Sequence, residues 1–109
     1  MLTPYQLLDG IYYRLKKPIP KKEIGMYMPA CKALLDMYRR NNVQDYEIVQ
    51  LLEYVCTAVK SRQLPQTFRY VYGILRNAIQ TRAMSKVTSE AVPQNLKVWI
   101  EQEIVRLSS

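Results

Sequence analysis

The sequence predicts an all-α fold, and three observations carry that prediction. Apolar residues recur at three- and four-residue spacing along nearly the whole chain. Nothing alternates at period two for long enough to build a sheet. Prolines and short polar pairs punctuate the periodic segments. The outcome is a single small domain of four to five helices, organised as a basic helical body (1–84), a linker (85–92) and a C-terminal helix (93–109).

Thr3-Pro4 supplies a cap and a proline at the first helical position, where a missing N–H costs nothing. Leu8, Ile11, Tyr12 and Leu15 then form one apolar stripe that ends before Pro18. Pro20 is expected to open a short helix carrying Ile24 and Met28, with Pro29 interrupting it by loss of a hydrogen bond and a clash with the preceding turn. A further helix runs to about Arg40, with Cys31, Leu34, Leu35 and Tyr38 on one side and Lys32, Asp36 and Arg40 on the other. Asn41-Asn42 is the turn.

Asp45 reads as the cap of the most strongly amphipathic helix. Ile48, Leu51, Leu52, Val55, Ala58 and Val59 share one face; Gln50, Glu53, Thr57 and Lys60 lie opposite. Leu64-Pro65 breaks it. The next helix is expected from near Pro65, turning Phe68, Val71, Ile74, Leu75, Ala78 and Ile79 inward. After Ser85–Val92, Pro93 opens a last helix with Leu96, Trp99, Ile100, Ile104 and Leu107 on one face. The helices at about 45–62 and 66–82 should form an antiparallel central pair, because the connection between them is short.

Composition argues for a binder rather than an enzyme. Of 109 residues 49% are hydrophobic, enough for a real core. Histidine is absent, which removes the commonest general base and metal ligand. Glu101 and Glu103 are two apart on a helix, as are Asp45 and Glu47, so neither pair shares a face. Gly10, Gly25 and Gly73 are isolated and form no phosphate loop. Cys31 and Cys56 lack the spacing and companions that zinc needs; one inter-helix disulfide or two buried thiols remain, the thiols being favoured. Neither cofactor nor metal is expected. No apolar run approaches the ~20 residues of a membrane span. Met1 leads straight to Thr3-Pro4 without a cationic n-region, so a cytoplasmic protein without a secretory leader is expected.

Sixteen Lys and Arg against nine Asp and Glu give a net charge of +7, which favours an acidic partner. The excess belongs to the helical body: residues 1–89 hold fourteen basic and six acidic side chains, and 90–109 hold two and three. Two basic features stand out. Arg14, Lys16, Lys17, Lys21 and Lys22 crowd the junction around Pro18 and Pro20, either as a solvated loop or as an arm that follows phosphates. Arg69, Arg76 and Gln80 project from the fourth helix with Tyr72 at the boundary, a mixture in which guanidinium groups pair with phosphate and a ring stacks on a base. On the last helix Val98 and Val105 lie almost opposite the main strip and, with Trp99, mark a candidate homodimer contact.

Residues Asp45 to Gln80, together with the preceding KALLDMYRRNN, resemble the DnaD-like replication-initiation domain. That family occurs in primosomal proteins of low-GC Gram-positive bacteria and in replication proteins of their phages and plasmids. The resemblance covers about residues 30–82. Tyr70 and Ile74 occupy the first two positions of the family's Y-x-x-x-I-x-x-x-W signature, and Ala78 stands where the Trp belongs. The resemblance implies a non-enzymatic accessory protein of DNA replication that binds single- or double-stranded DNA, or touches a replicative helicase or another replication protein. Helix packing is a competing account of Tyr70, Ile74 and Ala78, which fall on or beside the core face. The alternative function is a protein-interaction module, phage- or plasmid-encoded, that docks on a host replication or transcription protein.

Overall fold

The computed structural model describes residues 1–88 and 96–108, with side chains described for 1–81, 97, 98 and 100–108. The described residues form five helices: α1 (Pro4–Leu15), α2 (Lys21–Arg40), α3 (Asp45–Ser61), α4 (Phe68–Thr88) and α5 (Leu96–Ser108). The all-α expectation holds.

Local chemistry sets the helix ends. The Thr3 hydroxyl accepts from the Gln6 amide at 3.1 Å while the Gln6 carboxamide accepts from the Thr3 amide at 2.9 Å, a reciprocal cap on α1. At its other end Lys16 adopts left-handed backbone (φ 57°), and the Lys17 amide bonds back to the Tyr12 carbonyl. Asn42 and Gln63 play the same part after α2 and α3, with φ of 62° and 56°.

Four expected boundaries are corrected. Pro29 does not split the second helical segment: α2 is continuous from Lys21 to Arg40. Pro29 and Gly25 are both exposed, so the Gly25 carbonyl deprived of its helical partner faces water. Asp45 is not the cap of α3. Gln44 takes that place, its amide donating to Glu47 at 3.2 Å. The Asp45 carboxylate instead accepts from the Leu2 amide (2.6 Å) and from Arg39 Nε (3.3 Å), a charged tertiary partner outbidding a local cap. Arg39 also donates to the Leu2 carbonyl at 2.6 Å, so this cluster ties the N-terminus to the α2–α3 turn. Finally, α4 starts at Phe68 rather than near Pro65, because the Thr67 hydroxyl caps the Tyr70 amide (3.2 Å). It continues to Thr88, past the Ser85 where the linker was expected to begin. The rest of that linker and Pro93 lie outside the described residues.

Packing centres on α4, which touches each of the other four helices. Leu7, Leu8 and Ile11 of α1, Leu34 and Leu35 of α2, Val55 and Val59 of α3, Val71, Leu75 and Ile79 of α4, and Ile100 and Ile104 of α5 are fully or almost fully buried together. Tyr38, 1% exposed, reaches through this core to donate its hydroxyl to the Leu75 carbonyl at 2.8 Å. Gly10 lets α1 lie close against α3: a methyl there would meet Leu52 Cδ2 at 3.2 Å. Cys31 and Cys56 are free and buried, as favoured from the sequence. Among the described residues no helix is long and apolar enough to cross a membrane.

Candidate nucleic-acid interface

The basic junction after α1 and the start of α4 meet. Lys17 Nζ donates to the Gln66 carbonyl at 2.6 Å, which fastens the α1–α2 connection to the segment entering α4. Between them opens a cleft of about 520 Å³, lined by Lys17, Glu23, Tyr27, Phe68 and Arg69 among others. Its floor is aromatic. Phe68 stacks on Tyr27 with centroids 4.4 Å apart, and on Tyr12 and Tyr72 at 5.8 Å each. These contacts hold Tyr27 in place from behind while it stays half-exposed.

Polar groups line the same opening. The Tyr12 hydroxyl donates to Glu23 Oε2 at 2.5 Å. Burial first, and then the Glu23 carboxylate, pushes the Tyr12 phenol far above the ordinary tyrosine range, so it keeps donating at neutral pH. Arg69 Nε donates to the Tyr27 hydroxyl at 2.9 Å, and that bond raises the guanidinium's already high pKa. Along α4, the Tyr72 hydroxyl meets the Ala30 carbonyl at 3.4 Å, a weak bond to α2. Burial raises the Tyr72 pKa and the nearby Arg76 opposes the rise. Arg69, Tyr72 and Arg76 therefore follow the α2–α4 seam, with both arginines exposed.

No family model, curated protein or solved structure matches this chain.

The cations singled out from sequence divide into two kinds. Arg14 is spent on structure: its Nε pairs with Glu53 at 3.0 Å and another nitrogen donates to the Gly10 carbonyl. Lys60 in turn donates to the Arg14 carbonyl, so the end of α1 is stapled to α3. Lys16, Lys21 and Lys22 are exposed, the last two in the first turn of α2. There they add to the positive end of the helix dipole and, with Lys17, raise the local potential. Of the described arginines, Arg14, Arg39 and Arg106 are ion-paired, whereas Arg40, Arg62, Arg69 and Arg76 are not.

Tyr70 is not part of the seam. It is half-buried on the α5 side of α4, where its hydroxyl acts electrostatically on Arg106. Ile74 and Ala78, the other positions of the aromatic signature, are 1% and 2% exposed. Packing alone accounts for both. On α5, Val98 is half-buried and Val105 is 51% exposed; the Trp99 side chain lies outside the described residues. Among the described residues no cluster of three His, Cys, Asp or Glu side chains could hold a metal ion.

Sequence reasoning missed Glu23, Tyr27 and the exposed Met26 as cleft residues. Glu23 and Tyr27 are four apart and so share a helical face. That spacing was the available signal.

Proposed function

We propose that the chain is a non-enzymatic DNA-binding accessory protein of replication, which engages DNA along the α2–α4 seam. One observation carries this reading: Lys17 and Arg69, neither in an ion pair among the described residues, line the same aromatic-floored cleft, and Arg76, also outside any such pair, continues the seam. The spacing of Arg69 and Arg76 is two helical turns, about 10 Å along the axis, which suits successive phosphates of one strand. The exposed Lys21 and Lys22 at the start of α2 extend the positive field beside the cleft. The partial resemblance to the DnaD-like domain supports a role in primosome assembly, with a replicative helicase or another replication protein as a further partner.

Salt dependence tests the reading. Each phosphate neutralised releases condensed counterions, so affinity should fall steeply as salt rises. The double change Arg69→Ala with Arg76→Ala should weaken binding and reduce the salt slope by up to about two units, with the helical spectrum unchanged. Equal binding by parent and double variant at every salt concentration refutes the seam as the DNA face. A parent that shows no salt-sensitive binding refutes the DNA reading altogether and leaves the protein-docking alternative.

A further inference from the structure

We propose that the cleft between the α1–α2 connection and the start of α4 seats one unpaired guanine of a single strand. The inference rests on the nucleic-acid reading above and names the ligand of that same site.

The cleft has the capacity and the surfaces for a base. Its 520 Å³ falls within the roughly 300–1,000 Å³ typical of small-ligand sites. Tyr27 offers a half-exposed ring braced by Phe68, with the Arg69 guanidinium over it 5.9 Å from its centroid, so little conformational freedom remains to be lost when a base stacks beside that guanidinium. Met26, 52% exposed, adds a polarizable apolar wall at the rim. A duplex keeps its base faces stacked inside, so only an unpaired nucleotide can use this floor.

Cationic donors remain for the attached phosphate. The Lys17 ammonium has three N–H groups and gives one to Gln66; Arg69 has five and gives one to Tyr27. Both flank the opening, and neither is ion-paired to a carboxylate among the described residues.

Glu23 supplies the choice of base. Its Oε2 is held by Tyr12, and Oε1 makes no hydrogen bond among the described residues. An ionised carboxylate only accepts. Guanine alone presents two adjacent donors, N1–H and the 2-amino group, on its Watson–Crick edge. Adenine and cytosine place an acceptor nitrogen beside their amino group, which a carboxylate repels. Thymine has a single N–H between two carbonyls. The carboxylate edge therefore selects guanine, and stacking on Tyr27 supplies the sequence-tolerant part of the affinity.

Anisotropy titration of the full chain tests this with labelled oligo(dT) strands carrying, at one internal position, guanine, inosine or thymine, and with a blunt duplex. Inosine lacks only the 2-amino group. The expected order is guanine, inosine, thymine, with about tenfold between the first and last. Tyr27→Leu should lower single-strand affinity about tenfold and spare the duplex. Glu23→Gln retains an oxygen for Tyr12 but brings an amide of mixed polarity, so it should abolish the guanine preference, with the guanine, inosine and thymine strands then binding alike. If Tyr27→Leu fails to fold by circular dichroism, the inosine comparison on the parent and Glu23→Gln decide alone. Equal affinity of the parent for all three strands, with salt-sensitive binding intact, overturns the guanine pocket and leaves the seam reading standing. Absence of salt-sensitive binding to any strand overturns both.

Discussion

Removing the Tyr38 hydroxyl isolates a single buried hydrogen bond at the centre of the fold. Tyr38 is 1% exposed and its hydroxyl lies 2.8 Å from the Leu75 carbonyl. In Tyr38→Phe the ring and nearly all its packing remain. The Leu75 carbonyl keeps its partner within α4, so no buried acceptor is orphaned. The loss is then the net value of one neutral hydrogen bond, about 0.5–1.5 kcal/mol. For a domain of this size that corresponds to roughly 4–8 °C in Tm per kcal/mol. Thermal unfolding followed by far-UV circular dichroism, with urea melts at matched m-value, measures it. A second signature comes from pH. Burial pushes the Tyr38 phenol far above its ordinary value of 10.0. Below pH 10.0 the phenol is protonated in folded and unfolded chains alike. Above it, the unfolded chain ionises while the folded one does not, so stability is lost as pH rises. Tyr38→Phe lacks that loss, and the gap in Tm between parent and variant should narrow on the alkaline side. A variant as stable as the parent at neutral pH, or a gap that does not change with pH, refutes the reasoning.

Other consequences follow from particular sites. Gly73→Ala should stabilise the chain by about 0.5–1 kcal/mol, since a methyl there meets nothing within 4 Å; an unchanged or lower Tm would contradict it. Asp45 is held below the ordinary carboxylate range, first by the Leu2 amide and then by Arg39. A depressed pKa contributes stability above the unfolded value of about 3.9 and loses it as pH falls through the folded one. The Tm deficit of Asp45→Asn should therefore be greatest near neutrality and shrink with acid. Burial pushes the Cys31 thiol up to about 12 and the Cys56 thiol up to about 11. Both should resist a thiol reagent in native buffer at mildly alkaline pH and react together in denaturant; rapid native labelling would place a thiol at the surface.

The periodicity of apolar residues by itself determined that this chain is helical and which faces turn inward. Ile48, Leu52, Val55 and Val59 on α3, and Val71, Ile74, Leu75 and Ala78 on α4, are buried as their 100° spacing requires. Thr3 likewise caps α1 as read, because a cap is a contact between neighbours three residues apart. Features that depend on distant groups were decided only by the tertiary structure. Asp45 carries the residue type of a cap, yet Arg39 and the Leu2 amide, 43 residues away in sequence, claim its carboxylate. Pro29 carries the residue type of a helix breaker, yet it falls on the exposed side of α2, where water can take the freed carbonyl and packing of Cys31, Leu34 and Leu35 carries the helix through. The candidate site has the same origin. Arg69, Arg76 and Lys17 were legible as cations, but that Lys17 meets Gln66 and that Tyr27 stacks on Phe68 follows from α2 and α4 packing side by side. Charge and side-chain type are local properties, whereas a cleft exists only once two segments far apart in the chain have buried their apolar faces against each other.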